Sequence, residues 1–425
     1  LDLIRSTTSG GSFSNITPPH VDLHAIAWDA SGRLLAGDDG GLHRSTDGGS
    51  SWIALNNGLG LIQCYAGLSR KHQGTSVFVG LQDNGTVWRH PEGDWQYLLG
   101  GDGGWTQVDP TRSYVIFGEY QGAGNLYGSF DSGNTMQYKG SGINSNDRTA
   151  FEPPFVFALD GTSRILYATH RIYLSTNEGG TWMVLTGDLT GGGNAAIRTL
   201  ARAPSNANVI YAATNDGRIL RSDNNGDDWI LVTENVPGWP RVTREICVDP
   251  ADAMTVYLAV AYFGTEQLRR STDGGVTWTA LDQNLPDFPI NTVAVDTRGR
   301  LPVIYIGTDN GVYRSLNSGA SWHKYGAGFP TAAVIDIQIM TDKKRMFVAT
   351  QGRGVWVIDI DLPADMNGDG IVDLFDIDPF VLALTDPEGY ATAYPDLNPI
   401  LLGDMTGDGV LNNFDIDGFV IALSG

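Results

Sequence analysis

The sequence predicts an all-β fold: a β-propeller of eight four-stranded blades closed by the N-terminal strand, followed by a small α-helical unit. Three observations predict it. A short box recurs through residues 1–361 of the 425. Between boxes, apolar and polar residues alternate over short runs, as they do in half-buried strands. The chain also holds 55 Gly, 16 Tyr, 15 Phe and 11 Trp, a composition suited to many turns between aromatic-rich sheets.

The box is clearest as S-T-D-G-G-S-S-W at 45–52 and S-T-D-G-G-V-T-W at 271–278. It returns at 175–182, 222–229 and 315–322, and in weaker form at 6–13 and 129–136. W-R-H-P-E-G-D-W at 88–95 keeps the spacing without the Ser and Asp. Steps of roughly 40–50 residues match one four-stranded blade. Before Ser315 run N-T-V-A-V-D, V-I-Y-I-G-T and G-V-Y-R-S, and S-W-H-K-Y follows. These are strands A to D, with the box on the C–D turn. Asp or Asn there can bind nearby backbone N–H groups and Gly supplies positive φ, so the boxes read as turn staples rather than catalysts. Their Trp residues are expected to pack between blades.

After the last box come three strands, V-I-D-I-Q-I-M, R-M-F-V-A-T and G-V-W-V-I-D-I, without a fourth. The N-terminal strand, residues 1–6, is expected to complete that blade and cover its edge. The alternative is seven blades, or a chain that is part of a longer propeller protein.

Composition excludes some classes. With 27 Lys+Arg against 48 Asp+Glu the net charge is −21, which argues against nucleic-acid or anionic-membrane binding. No apolar run is long enough to span a membrane. The opening L-D-L-I-R-S has neither a start Met nor a leader pattern, so an upstream region is expected to lie outside this sequence. Cys64 and Cys247, in A strands of distant blades, read as free buried thiols.

The boxes resemble Asp-box (bacterial neuraminidase) repeats. The resemblance covers about residues 1–361 and implies a β-propeller of the kind shared by sialidases, sortilin-type receptors and xyloglucan hydrolases. H-V-D-L-H at 20–24, L-Q-D-N-G-T at 81–86, G-G-D-G-G at 100–104 and T-Q-G-R-G-V-W at 350–356 look like strings from secreted bacterial repeat proteins. An extracellular or cell-surface location is implied. Repeats report fold, not function.

A second unit spans residues 365–425. D-M-N-G-D-G-I-V-D-L-F-D places Asp365, Asn367, Asp369, the Ile371 carbonyl, Asp373 and Asp376 at the ligand positions of an EF-hand-type loop. Asp404, Thr406, Asp408, the Val410 carbonyl, Asn412 and Asp415 repeat the pattern. Each loop runs into an apolar helix with i, i+3, i+4, i+7 spacing. Two Ca2+ ions are expected, with the second site weakened by Thr406. The paired loops look like a dockerin, which implies docking on a cohesin-like or other surface protein. Leu374–Phe375 and Asn413–Phe414 stand where many dockerins carry Ser–Thr. A calcium-stapled cap packed on the propeller, without a partner, is the other reading.

The candidate site lies on the rim opposite the boxes, where B–C and D–A loops meet. Strand counting puts His24, Asp39, Asp83, Asp102, Glu119, Tyr120 and Arg353 there. His20, Asp22 and His24 have a spacing that suits a metal. Convergent acids suit a cation, a sugar or a basic peptide. A sialidase-type site would need an arginine cluster, for which Arg171, Arg218 and Arg353 lie on suitable loops; a hydrolase could instead use two carboxylates. The sequence favours a glycan- or protein-binding and assembly module. The alternative is a glycoside hydrolase or other polysaccharide-active enzyme.

Overall fold

The computed structural model describes residues 3–65, 67–70, 76–236, 243–298, 302–326, 328–340, 344–395 and 397–424. It is built from antiparallel sheets, seven of them four-stranded and one three-stranded, with a two-stranded N-terminal hairpin and a helical C-terminal unit. Each full sheet runs through its strands in chain order.

The boxes fall on C–D turns, and their chemistry is local. Ser45 Oγ donates to Asp47 Oδ1 at 2.7 Å and accepts the Gly49 amide at 2.8 Å, while Asp47 Oδ1 also accepts the Ser51 amide at 2.9 Å. Asp131 and Asp273 repeat this clasp. Asn177, Asn224 and Asn317 make the same bonds with an amide oxygen. Two box tryptophans reach back to the preceding sheet, where Trp182 Nε1 donates to Lys139 O at 2.6 Å and Trp322 Nε1 to Leu281 O at 2.7 Å. Both indoles are buried in the cores between sheets.

Closure differs from the expectation of eight blades. The ring contains seven: blade 1 (69–99), blade 2 (103–138), blade 3 (155–184), blade 4 (197–233), blade 5 (243–280), blade 6 (290–325) and the three-stranded blade 7 (333–359). Blade 7 packs directly on blade 1, through a shared core of Leu68, Val77, Val79, Leu81, Met340, Phe347 and Ala349. Gln63 bridges to Gln351, and the Cys64 amide donates to Thr350 O at 3.0 Å.

The N-terminal strand does not complete blade 7. Residues 1 and 2 lie outside the described residues; Leu3–Arg5 pairs with Ser14–Ile16 as a hairpin. That hairpin lies against a further sheet outside the ring (25–54, the outer sheet). Arg5 Nη1 donates to Gly48 O at 2.8 Å, and Trp52 Nε1 to Thr17 O at 3.2 Å. The Trp52 bond is the one Trp182 and Trp322 make, so the hairpin stands to the outer sheet as each outer hairpin stands to the next blade. Its place is thus taken, and it cannot reach blade 7. The outer sheet's inner strand, Ala25–Trp28, is exposed along its length, whereas the inner strand of blade 6, Ile290–Asp296, is buried throughout.

The C-terminal unit holds α1 (Ile377–Thr385), α2 (Pro387–Ala393), α3 (Pro399–Gly403) and α4 (Ile416–Ser424). Phe380 of α1 stacks on Phe419 of α4 with centroids 3.8 Å apart, inside a core that includes Met366, Tyr390 and Leu402. Leu401 joins the core between blades 6 and 7, so the unit is seated on the ring.

Candidate functional site

The rim opposite the boxes is built by the ends of B strands. In the outer sheet, Leu34–Asp38 is followed by Asp39; in blade 1, Val77–Leu81 is followed by Gln82–Asn84. The two loops meet. Gln82 Nε2 donates to Asp39 Oδ2 at 3.1 Å, and Asn84 Nδ2 to Asp39 O at 3.1 Å. His24 Nε2 lies 2.5 Å from Asp39 Oδ1. The Asp83 amide donates to Asp102 Oδ1 at 2.8 Å. Carboxylate oxygens of Asp22, Asp39 and Asp83 lie within 4.8 Å of one another. Four expected residues therefore converge: His24, Asp39, Asp83 and Asp102.

The environment separates the two central acids. Burial, then the hydrogen bond with Asp39 and the charges of Asp102 and Asp39, push Asp83 up to about 6. Burial acts upward on Asp39 too, but hydrogen bonds from Asp83 and His24 outweigh it and hold this carboxyl below its ordinary value. Asp39 therefore ionises before Asp83 as pH rises. Beside them Tyr65 meets Phe151 edge-on, with centroids 5.7 Å apart.

Three expected residues do not join this cluster. Glu119 points inward from Ile116–Tyr120 and is fully buried. Neither of its oxygens makes a well-formed hydrogen bond; burial and the charge of Glu152 raise it well above an ordinary carboxyl. Tyr120 turns to Tyr127, with the hydroxyls 3.3 Å apart. Arg353 lines an apolar groove with Ile62, Trp95 and Trp356 between blades 7 and 1. The arginine cluster does not form either: Arg171 pairs with Asp147 at 2.7 Å and Arg218 with Glu234 at 3.1 Å, each locally.

Strand counting puts Gln82 and Asp22 on this rim, Asp22 within a His-x-Asp-x-His metal set, but gives Gln63 no role. It also missed the ring's centre, where Trp105, Arg198, Arg244, Glu245, Asn291 and Asp336 line a narrow cavity. Burial raises Glu245 to about 8 and Asp336 to about 6. Inner strands read only as apolar alternation, so nothing flagged polar residues facing an axis.

The two acidic loops of the C-terminal unit share one geometry. Asp376 accepts the amides of Asn367 at 3.0 Å and Asp373 at 2.9 Å; Asp415 accepts those of Thr406 at 3.0 Å and Asn412 at 2.9 Å. Gly370 and Gly409 turn at φ +91° and +86° and donate to Asp365 and Asp404. Asp365 Oδ1 is buried without a partner. An all-oxygen set around an orphaned carboxylate oxygen fits a hard cation. Asp365, Asn367, Asp369, the Ile371 carbonyl, Asp373 and Asp376 would hold one ion. Asp404, Thr406, Asp408, the Val410 carbonyl, Asn412 and Asp415 would hold the other.

Fold and site together define a seven-bladed repeat propeller with an acidic mouth. Among curated proteins, the chain is similar to xyloglucanases. It is 29% identical over 154 residues to one from Paenibacillus sp, which is 32% of this chain and 15% of that protein. It is 28% identical over 164 residues to one from Hypocrea jecorina, 34% of this chain and 19% of that protein. The chain thus spans under a fifth of the length of these relatives. Among solved structures it resembles the GH74 xyloglucanase of Xanthomonas campestris, with TM-score 0.56 and 17% identity over 85% of this chain and 55% of that one. It also resembles YCF48 of Cyanidioschyzon merolae, with TM-score 0.52 and 14% identity over 70% of this chain and 95% of that one. These structural likenesses carry the propeller fold. No protein-family model matches the chain. No described helix is long and apolar enough to cross a membrane.

Proposed function

We propose that this chain is the carboxylate-bearing part of a glycoside hydrolase acting on a polysaccharide of the xyloglucan class. The observation that carries the reading is the Asp39–Asp83 pair at the mouth, with Asp83 raised to about 6. A carboxyl that keeps its proton at mildly acid pH can deliver it to a glycosidic oxygen, while an ionised neighbour stabilises the positive charge that develops on the sugar. Asp102 braces the Asp83 backbone, Gln82 and His24 fix Asp39, and Tyr65 with Phe151 offers apolar surface for a sugar ring. The xyloglucanase names of the relatives supply the substrate class.

The outer sheet and its hairpin belong, in this reading, to a longer propeller protein. The exposed Ile26 and Trp28 on its inner strand support this, as does the 55% share of the Xanthomonas chain. An extracellular location accords with a polysaccharide substrate.

The C-terminal unit is read as a dockerin-like module holding two Ca2+ ions. Leu374, Phe375 and Phe414 are 75, 78 and 81% exposed. Such a bare apolar patch beside the loops favours docking on a cohesin-like or other surface protein over a cap alone.

Incubation with xyloglucan, counting new reducing ends, tests the hydrolase. Turnover by the native chain and its loss in Asp83→Asn, with polysaccharide binding kept, is the expected result. Binding without turnover by the native chain would leave a binding module. Neither binding nor turnover would remove the substrate class.

A further inference from the structure

We propose that Lys344 of the propeller is a resident counter-charge on the first calcium loop and competes with the ion for Asp365. The inference rests on the calcium reading of residues 365–425. Lys344 directly precedes Arg345–Gln351, in blade 7, and its carbonyl accepts the Ile360 amide at 2.7 Å, where the chain leaves the ring. Its Nζ lies 3.4 Å from Asp365 Oδ2. A side chain started at Gly370, the sharp turn of the loop, would meet Lys344 Cε and Nζ at 4.0 Å. The ammonium therefore lies over the loop, against its first ligand.

Asp365 makes the competition matter. It is 1% exposed; Oδ2 also takes the Gly370 amide at 2.9 Å, and Oδ1 has no partner. A buried carboxylate with one free oxygen calls for a cation, and in the metal-free chain Lys344 is the cation at hand. An arriving ion must share Asp365 with a positive charge or displace it.

The second loop offers a contrast. Among the described residues, Asp404 accepts from its own loop, from Thr406 Oγ1 and the amides of Gly407, Asp408 and Gly409. Ring residues Arg314, His323 and Lys324 share a cleft with Asp404, Gly407 and Gly409, yet among the described residues no Lys or Arg pairs with Asp404 as Lys344 pairs with Asp365. The two loops thus differ in direct pairing of the first ligand with a ring cation, as well as in Thr406. Lys344 holds the first loop below the affinity its own ligands would give.

The test is calcium calorimetry on the whole chain, with the second loop silenced by Asp408→Ala in every sample. Lys344→Met should tighten the remaining site by about 3- to 10-fold, as expected for removal of a partly exposed charge. Lys344→Arg, which keeps the charge, should leave it unchanged. The gain should shrink in high salt. Equal affinities with Lys344 in place and in the Lys344→Met variant overturn the proposal alone. Absence of calcium binding in both overturns it together with the calcium reading.

Discussion

Asp336 Oδ2 accepts the Leu68 amide at 2.8 Å, joining the last blade of the ring to the first across 268 residues of sequence. The same carboxyl takes Gln338 Nε2 at 3.1 Å through its other oxygen. It is nearly buried, at the edge of the central cavity. Among the described residues blade 7 has no outer strand to latch the ring, so closure falls to contacts such as this bond, the Gln63–Gln351 bridge, the Cys64–Thr350 bond and the apolar core between the blades.

Asp336→Ala should therefore loosen the ring. It strands a buried amide, which costs about 1–3 kcal/mol. Asp336→Asn keeps an acceptor and should cost less. Denaturant unfolding monitored by Trp fluorescence would rank the two; equal losses would remove Asp336 from closure.

The mouth predicts a pH effect. Asp83 has a folded value of about 6, above the 3.8 of a free Asp, so the folded chain binds the extra proton between those values. Stability contributed by that proton is present below about 4 and lost as pH rises through about 6. Asp83→Asn should remove the loss, gaining about 1 kcal/mol at pH 7.5 after allowance for solvent screening and almost nothing at pH 4. Melting curves at the two pH values check it, and an equal shift at both would refute it.

The box clasp predicts a contrast between two substitutions. Asp273→Ala removes bonds to the Thr277 amide and hydroxyl at 2.9 and 2.6 Å and the acceptor for Ser271. Like loss of a helix cap, this should cost about 1 kcal/mol. Asp273→Asn should be nearly neutral, because Asn177, Asn224 and Asn317 already serve in that place. Hydrogen bonds hold Asp273 down at about 2, led by that from Thr277, so the Ala penalty should fade as pH drops from 4 to 2. A pH-independent penalty would count against the clasp.

Chelation should act on the C-terminal unit. Without calcium, Asp365, Asp369, Asp373 and Asp376 face one another, as do Asp404, Asp408 and Asp415. Removing the ion should lower the helical circular-dichroism signal while the β signal of the ring persists. Two ions per chain are expected by calorimetry, and loss of both signals together would mean the ring depends on the metal too.

Much of this was legible in the sequence because it is local. The clasp is set within eight residues, and the convergence of Asp83 with Asp102 follows from counting strands within a blade. The turns of the two acidic loops, in which Asp376 and Asp415 each accept two amides, are likewise set within one stretch. Closure was not legible, because the outer sheet carries a box as good as any in the ring. Only contacts such as Cys64 with Thr350 tell which sheets join, and the first strand of blade 1, Ser69–Arg70, is two residues long. Glu119 was misread for a similar reason. Its place near a strand end suggested the mouth, but the two-residue period of the strand turns it inward.

The box clasp also bears on charge. The fold asks position three of each box for a side-chain oxygen acceptor, which a carboxylate or an amide can supply: Asp47, Asp131 and Asp273 are acids, while Asn177, Asn224 and Asn317 are not. Each blade so equipped is a place where the chain can change its charge by one without changing its shape. The net −21 is thus free to drift under pressures that act on the surface, such as solubility or attraction to a partner, while the architecture stays put.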